Sequence, residues 1–136
     1  MSLSCTAVNL KIEQRWLARV RKCIFENCLG MGIQAVNSEF TIDENTFSDM
    51  HNYSIQIALN ATGNIRENSF VKGRKASIAV SGKSAPLIAN NSFSQAYATG
   101  VFFFDTGRPT IEKNEFANCT PENILIIAEP VSMCAM

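Results

Sequence analysis

Residues 41–47 read Thr-Ile-Asp-Glu-Asn-Thr-Phe, and eight positions after Phe47 the chain continues with Ile55-Gln56-Ile57. Three further copies follow without a gap, and each matched position lies 23 residues after its counterpart. Their Ile, Asn and Phe positions are Ile65, Asn68 and Phe70, then Ile88, Asn91 and Phe93, then Ile111, Asn114 and Phe116. Self-similarity at such a period is the sequence signature of a solenoid.

An earlier, less regular copy precedes these four. Val20 and Phe25 have the same five-residue spacing as Ile42 and Phe47, but this copy is one residue short before Ile42 and has Cys23 where the others have Asn. Upstream of it, the spacing of Leu10 and Ile12 predicts a partial coil over residues 8–19. The alternative left open for this segment is a capping helix, with one apolar face made of Ile12, Trp16, Leu17, Val20 and Ile24.

Each copy predicts three short strands that stack on the next coil, because no room is left for a crossover helix. In-register stacking places like residues above one another, so we expect four inward columns: Val20-Ile42-Ile65-Ile88-Ile111, Phe25-Phe47-Phe70-Phe93-Phe116, Ile33-Ile55-Ile78-Val101-Ile124 and Ala35-Ile57-Val80-Phe103-Ile126. A fifth column cannot be apolar packing, and we expect it to form a hydrogen-bonded ladder: Asn45, Asn68, Asn91 and Asn114. We also expect these Asn residues to take the left-handed backbone of a tight bend.

The pattern I-x-x-N-x-F followed by G/S-I-x-I resembles the right-handed parallel β-helix repeat of the pectate-lyase-like superfamily over about residues 10–127. The resemblance implies an all-β, single-stranded parallel β-helix of about five coils of 22–23 residues. We expect it to fill one domain at residues 8–130, with a C-terminal tail at residues 131–136. The superfamily includes polysaccharide lyases and hydrolases as well as non-catalytic domains, so its fold alone does not assign a function.

Composition narrows the class of partner. The chain has 136 residues, of which 46% are hydrophobic, and its 12 basic residues balance 12 acidic ones. This balance provides no electrostatic footprint for nucleic acid or a membrane surface. Five cysteines without a CxxC spacing favour reduced thiols, with Cys28 and Cys119 as small inward-facing residues, and a cytoplasmic location. Met1-Ser2-Leu3 is typical of a start added for expression, so the native N-terminus is left open.

The sequence predicts neither a catalytic centre nor a cofactor or metal. The resemblance implies that a lyase would carry calcium-binding acids on the sheet formed by the Ile55 strand and its counterparts in the other copies. The outward positions of this sheet are uncharged: Gln34, Val36, Gln56, Ala58, Ala79, Ser81, Phe102, Phe104, Leu125 and Ile127. We interpret Asp105 beside Arg108 as a loop salt bridge and His51 as a solvated turn residue. The column of Arg21, Asp43 and Arg66 is interpreted as a solvated charge ladder.

The strongest candidate for a binding surface is an apolar patch of four outward residues on two adjacent coils: Phe102, Phe104, Leu125 and Ile127. Either the C-terminal tail covers this patch, or the patch binds a protein. We therefore predict a non-catalytic interaction or structural module that binds a protein partner or itself, as part of a larger protein or as a homo-oligomer. The alternative is a carbohydrate-binding or polysaccharide-degrading β-helix protein.

Overall fold

The chain winds through three parallel sheets in turn. The structure is a computed structural model, and it describes residues 2–4, 10–13, 17–95, 97, 99–104, 106–118, 124–126 and 131–133. For 2–4, 124–126 and 131–133 it describes the backbone. These residues form eighteen strands: β1 (Ser2–Ser4), β2 (Leu10–Ile12), β3 (Leu17–Arg21), β4 (Ile24–Glu26), β5 (Ile33–Val36), β6 (Glu39–Asp43), β7 (Thr46–Ser48), β8 (Ile55–Ala58), β9 (Thr62–Arg66), β10 (Ser69–Val71), β11 (Ile78–Val80), β12 (Leu87–Ala89), β13 (Ser92–Ser94), β14 (Val101–Phe103), β15 (Thr110–Glu112), β16 (Glu115–Ala117), β17 (Ile124–Ile126) and β18 (Val131–Met133).

Every third strand belongs to the same sheet. Sheet A has the order β1-β4-β7-β10-β13-β16, sheet B has β2-β5-β8-β11-β14-β17-β18, and sheet C has β3-β6-β9-β12-β15. Each coil passes through sheets C, A and B, so β3 to β17 make five coils. All pairings are parallel except that of β18, which runs antiparallel to β17. The predicted all-β parallel solenoid is confirmed.

Strand pairing includes segments near both termini. β1, at Ser2–Ser4, pairs with β4 ahead of residue 8, and β18 continues sheet B after residue 130. The partial coil predicted near the N-terminus is present as β2 and β3, so the alternative of a capping helix is wrong for Ile12, Leu17, Val20 and Ile24. Trp16 lies outside the described residues. Across the described ranges, no helix is long and apolar enough to cross a membrane.

The four predicted inward columns form the core. Strand register pairs each column member with its counterpart one coil away, as in Ile42 with Ile65 and Ile78 with Val101. The Phe column stacks from Phe25 to Phe116 with ring centroids 4.7–5.0 Å apart and planes within 8°. Members in the first three coils are buried, whereas Phe103, Ile111 and Phe116 are only partly buried. Fully burying a large apolar side chain contributes roughly 1.5–3 kcal/mol, so these columns provide most of the folding drive.

The Asn column forms the expected ladder, but the reason predicted for its place at the bend is wrong. Asn45, Asn68, Asn91 and Asn114 are at most 8% exposed. The left-handed backbone is taken instead by the residue before each Asn, namely Glu44, Glu67, Asn90 and Lys113, with φ of 56–57°. A left-handed conformation costs an L-residue roughly 1–2 kcal/mol. The four buried Asn residues therefore do not make the bend themselves, and they form a hydrogen-bonded column beside it.

Candidate functional site

Sheet B presents a row of uncharged side chains on its outer face. Strand register places Gln34, Gln56, Ala79 and Phe102 in one row, which continues at its N-terminal end with Lys11. Alternation along each strand explains the row, because the residues on either side of it point into the core. The Gln34 amide donates to the Gln56 side-chain oxygen at 2.9 Å, so the row begins with a bonded amide pair and ends with an aromatic ring.

Phe102 and Phe104 form a stacked pair on this face. Their ring centroids are 4.8 Å apart with planes at 24°. Both rings are partly buried, since the coil below them carries the small residues Ala79 and Ser81, which are 1% and 9% exposed. Large rings beside small side chains bury part of their own area and leave an apolar remainder facing solvent.

The structure describes the backbone of Leu125 and does not describe Ile127, which are the other two residues of the predicted patch. Leu125 pairs with Phe102 in strand register, which puts its backbone in the neighbouring coil of sheet B. Ile127 lies outside the described residues. The part of the tail that is described, residues 131–133, forms β18 beside β17. This segment extends the sheet at its edge.

The charged column on sheet C differs from the predicted solvated ladder. The Asp43 side chain is only 4% exposed, and Arg19 holds it through two hydrogen bonds, Nη2 to Oδ2 at 2.9 Å and Nε to Oδ1 at 3.3 Å. Arg21 instead contacts Glu44 at 2.6 Å and approaches Asp43 at 3.6 Å. The hydrogen bond from Arg19 is the main cause that lowers the pKa of Asp43, and the same bond raises the pKa of Arg19. Strand alternation places Arg19 on the same face two residues before Arg21, so the sequence indicates the position of Arg19 but not its contact with Asp43.

The described cysteines only partly match the prediction of reduced thiols. Cys23 is free and buried, as expected. Cys28 is buried, but it is disulfide-bonded, so the prediction of a reduced thiol is wrong at this position. The argument for a cytoplasmic location from reduced cysteines is correspondingly weaker, and that location stays a prediction.

The remaining candidates for chemistry do not converge on one point. His51 is half-buried in the bend between β7 and β8, and Arg108 is exposed in the loop before β15, while Asp105 lies outside the described residues. In the described ranges, no three His, Cys, Asp or Glu side chains are grouped so that they could hold a metal ion. One contact was not foreseen: the Lys75 ammonium lies 5.4 Å from the centroid of the Tyr53 ring. Nothing in the repeat pattern links these two loop residues.

The fold and the repeat define a class of protein. A family model described as the right handed beta helix region matches residues 32–130, which is well over half of the chain. The chain therefore belongs to the right-handed β-helix family, and the resemblance to the pectate-lyase-like superfamily is consistent with this match. Comparison with curated proteins and comparison with solved structures gave no significant match.

Proposed function

We propose that this chain is a non-catalytic β-helix module that binds protein through the outer face of sheet B. The observation that carries the proposal is the stacked pair of Phe102 and Phe104 at outward positions, where a solvated sheet face ordinarily has polar side chains. The row beside the pair is uncharged from Gln34 to Phe102, so a partner that docks between these two residues desolvates no charge there. Aromatic residues are enriched at the centres of protein interfaces and supply much of their affinity.

A second copy of the chain is the partner that can be tested directly. Light scattering over a range of concentrations should show self-association of the wild type. Phe102→Asp should raise the dissociation constant by roughly 30-fold, which corresponds to the 2 kcal/mol of an interface hot spot. Ser92→Asp is the matched control, because Ser92 is exposed on sheet A of the same coil. Urea denaturation of both variants establishes that they remain folded, and a wild type that stays monomeric at high concentration would contradict self-association.

Carbohydrate binding is the second candidate, because the amides of Gln34 and Gln56 and the ring of Phe102 share one row. The ring can stack on a sugar unit, and the amides two and three coils away in the same row can hydrogen-bond the hydroxyls of further units. Binding of an oligosaccharide from a panel of neutral and acidic polysaccharides, lost in Phe102→Ala and retained in Ser92→Asp, would favour this candidate over the first.

A further inference from the structure

The corner between sheets B and C has different lengths in successive coils. From Ala35 to Ile42 there are seven positions, but from Ile57 to Ile65 there are eight, and the later coils keep eight. The shorter corner leaves a recess of about 230 Å³, lined by Asn37, Ser38, Glu39, Asn60 and Thr62.

The recess continues across the outer face of sheet C. A second hollow of about 370 Å³ shares Glu39 and Thr62 with the recess and extends to Leu17, Thr41, Asn64 and Leu87. Its floor is Phe40 and Gly63, and a side chain at Gly63 would collide with the Phe40 carbonyl oxygen, which lies 2.0 Å from the Cβ position. We call the recess and the hollow together the corner groove.

The corner groove is lined by polar groups that the rest of the described protein does not satisfy. Ser38 is 4% exposed, and its hydroxyl is the single buried side-chain polar atom in the described ranges that lacks a hydrogen-bond partner. Its counterpart two coils further on, Ser84, accepts a hydrogen bond from the Ala61 backbone N–H at 3.2 Å. The side-chain amides of Asn37, Asn60 and Asn64 make no hydrogen bond to other described residues. Buried polar groups normally have partners, so the Ser38 hydroxyl is open to a ligand atom at this corner. The amides of Asn37 and Asn60 are exposed and that of Asn64 is half-buried, so all three can reach a ligand in the groove.

The corner groove also carries an unpaired negative charge and an exposed apolar side chain. Glu39 is exposed, and within the described ranges no cation lies at ion-pair distance from its carboxylate. Arg19, which is on the same face, is bound to Asp43 instead. Leu17 pairs with Glu39 in strand register and is 82% exposed, so it offers apolar area at the edge of the groove.

We propose that the corner groove binds an extended peptide segment of a partner protein, with a Lys or Arg side chain over Glu39 and an aliphatic side chain against Leu17. The amides of Asn37, Asn60 and Asn64 each offer donors and an acceptor, which match the N–H and C=O groups of an extended backbone. The row from Leu17 through Glu39 and Thr62 to Ala85 spans three strand spacings, about 14 Å, which is the length of about four extended residues. Phe40 is the one aromatic among the described residues that line the groove, and it is 2% exposed, so none of these residues offers a ring to stack on a sugar.

This site lies on sheet C and is separate from the Phe102 face on sheet B. Either can therefore fail without the other. The probe is the peptide acetyl-Gly-Leu-Gly-Lys-Gly-amide, titrated into ¹⁵N-labelled protein while the side-chain amide signals of Asn37, Asn60 and Asn64 are followed. We expect saturable shifts of these signals, and none with the peptide in which Glu replaces Lys. Glu39→Lys should weaken binding at least about tenfold because like charges then face each other, whereas Glu112→Lys on the exposed end of the same sheet should not.

A second variant tests the origin of the groove. Insertion of one alanine between Asn37 and Ser38 gives this corner the length found in the later coils, while every lining side chain is kept. The inserted protein, checked for folding by circular dichroism, should no longer bind the peptide. Retained binding in this variant, equal affinity in Glu39→Lys, or absence of shifts with the wild type would overturn the proposal. Shifts produced by maltotriose or a uronate trimer but not by the peptide would also overturn it, in favour of a sugar ligand.

Discussion

The corner between sheets C and A and the corner between sheets B and C use asparagine in opposite ways. At the first corner, Asn68 is 2% exposed and bonded through every polar atom of its side chain. At the second corner, Asn37 and Asn60 are exposed on a groove with left-handed backbones, at φ of 48° and 63°. The spacing from Val20 to Phe25 is kept in all later coils, whereas the spacing before Ile42 is not. An invariant length lets a polar column satisfy itself, and a change of one residue leaves polar groups for something else to satisfy.

The largest effect should come from breaking the ladder at its centre. Asn68→Ala removes the acceptor for both the backbone N–H and the side-chain amide of Asn45, and it removes the donor to the Ile42 carbonyl. Each buried group left without a partner costs about 1–3 kcal/mol, so we expect the free energy of unfolding to fall by roughly 3 kcal/mol or more in urea titration.

Asn64→Ala is the matched control for this prediction. Asn64 lies four residues earlier in the same coil, but it lines the groove and has no side-chain hydrogen bond to another described residue. The free energy of unfolding should then change by no more than about 0.5 kcal/mol. Equal losses in the two variants would mean that the two corners do not differ as described.

The regular corner could be predicted from sequence, and the irregular one could not. The 23-residue spacing determines which residues share a column, so the Phe stack, the Asn ladder and the outward position of Phe102 all follow from it. The missing residue before Ile42 is visible in the sequence too. Whether such a deletion closes the corner or opens a groove depends on how Ser38 and Glu39 stack on Ala61 and Thr62, and this is a matter of three-dimensional packing.

The same limit applies to the charged residues. Column analysis found Asp43 but assigned it to solvent, because strand alternation alone does not reveal that Arg19 reaches across to the next strand and covers it. The partial burial of Phe102 was missed for a related reason. It depends on the small size of Ala79 one coil away, a relation between coils that the pattern of each copy does not contain.

An intermediate effect is expected at Asp43, which borders the regular corner. Because Arg19 lowers the pKa of this carboxyl in the folded state, its stabilisation is present at pH above the unfolded value of about 3.9. It is lost as the pH falls through the lower folded pKa. Asp43→Asn should therefore be less stable than the wild type at neutral pH, and the difference should shrink below about pH 4 in urea titrations.

Arg19→Gln removes the main hydrogen-bond donor to Asp43. The difference in the free energy of unfolding between the wild type and Arg19→Gln should therefore show most of the same pH dependence. If the difference between wild type and Asp43→Asn stayed constant down to pH 3, the contact between Arg19 and Asp43 would not stabilise the fold.

The smallest effects should distinguish two serines that occupy equivalent places at the irregular corner. Ser84→Ala removes the acceptor of the buried Ala61 N–H, so the free energy of unfolding should fall by about 1 kcal/mol or more. Ser38→Ala removes a buried hydroxyl that has no partner, so the free energy of unfolding should stay the same or rise by up to about 1 kcal/mol. Thermal or urea denaturation of the two variants side by side measures this difference in sign. A loss at Ser38 as large as that at Ser84 would show that the Ser38 hydroxyl is already satisfied, and the shorter corner would then leave no polar group for a ligand at that position.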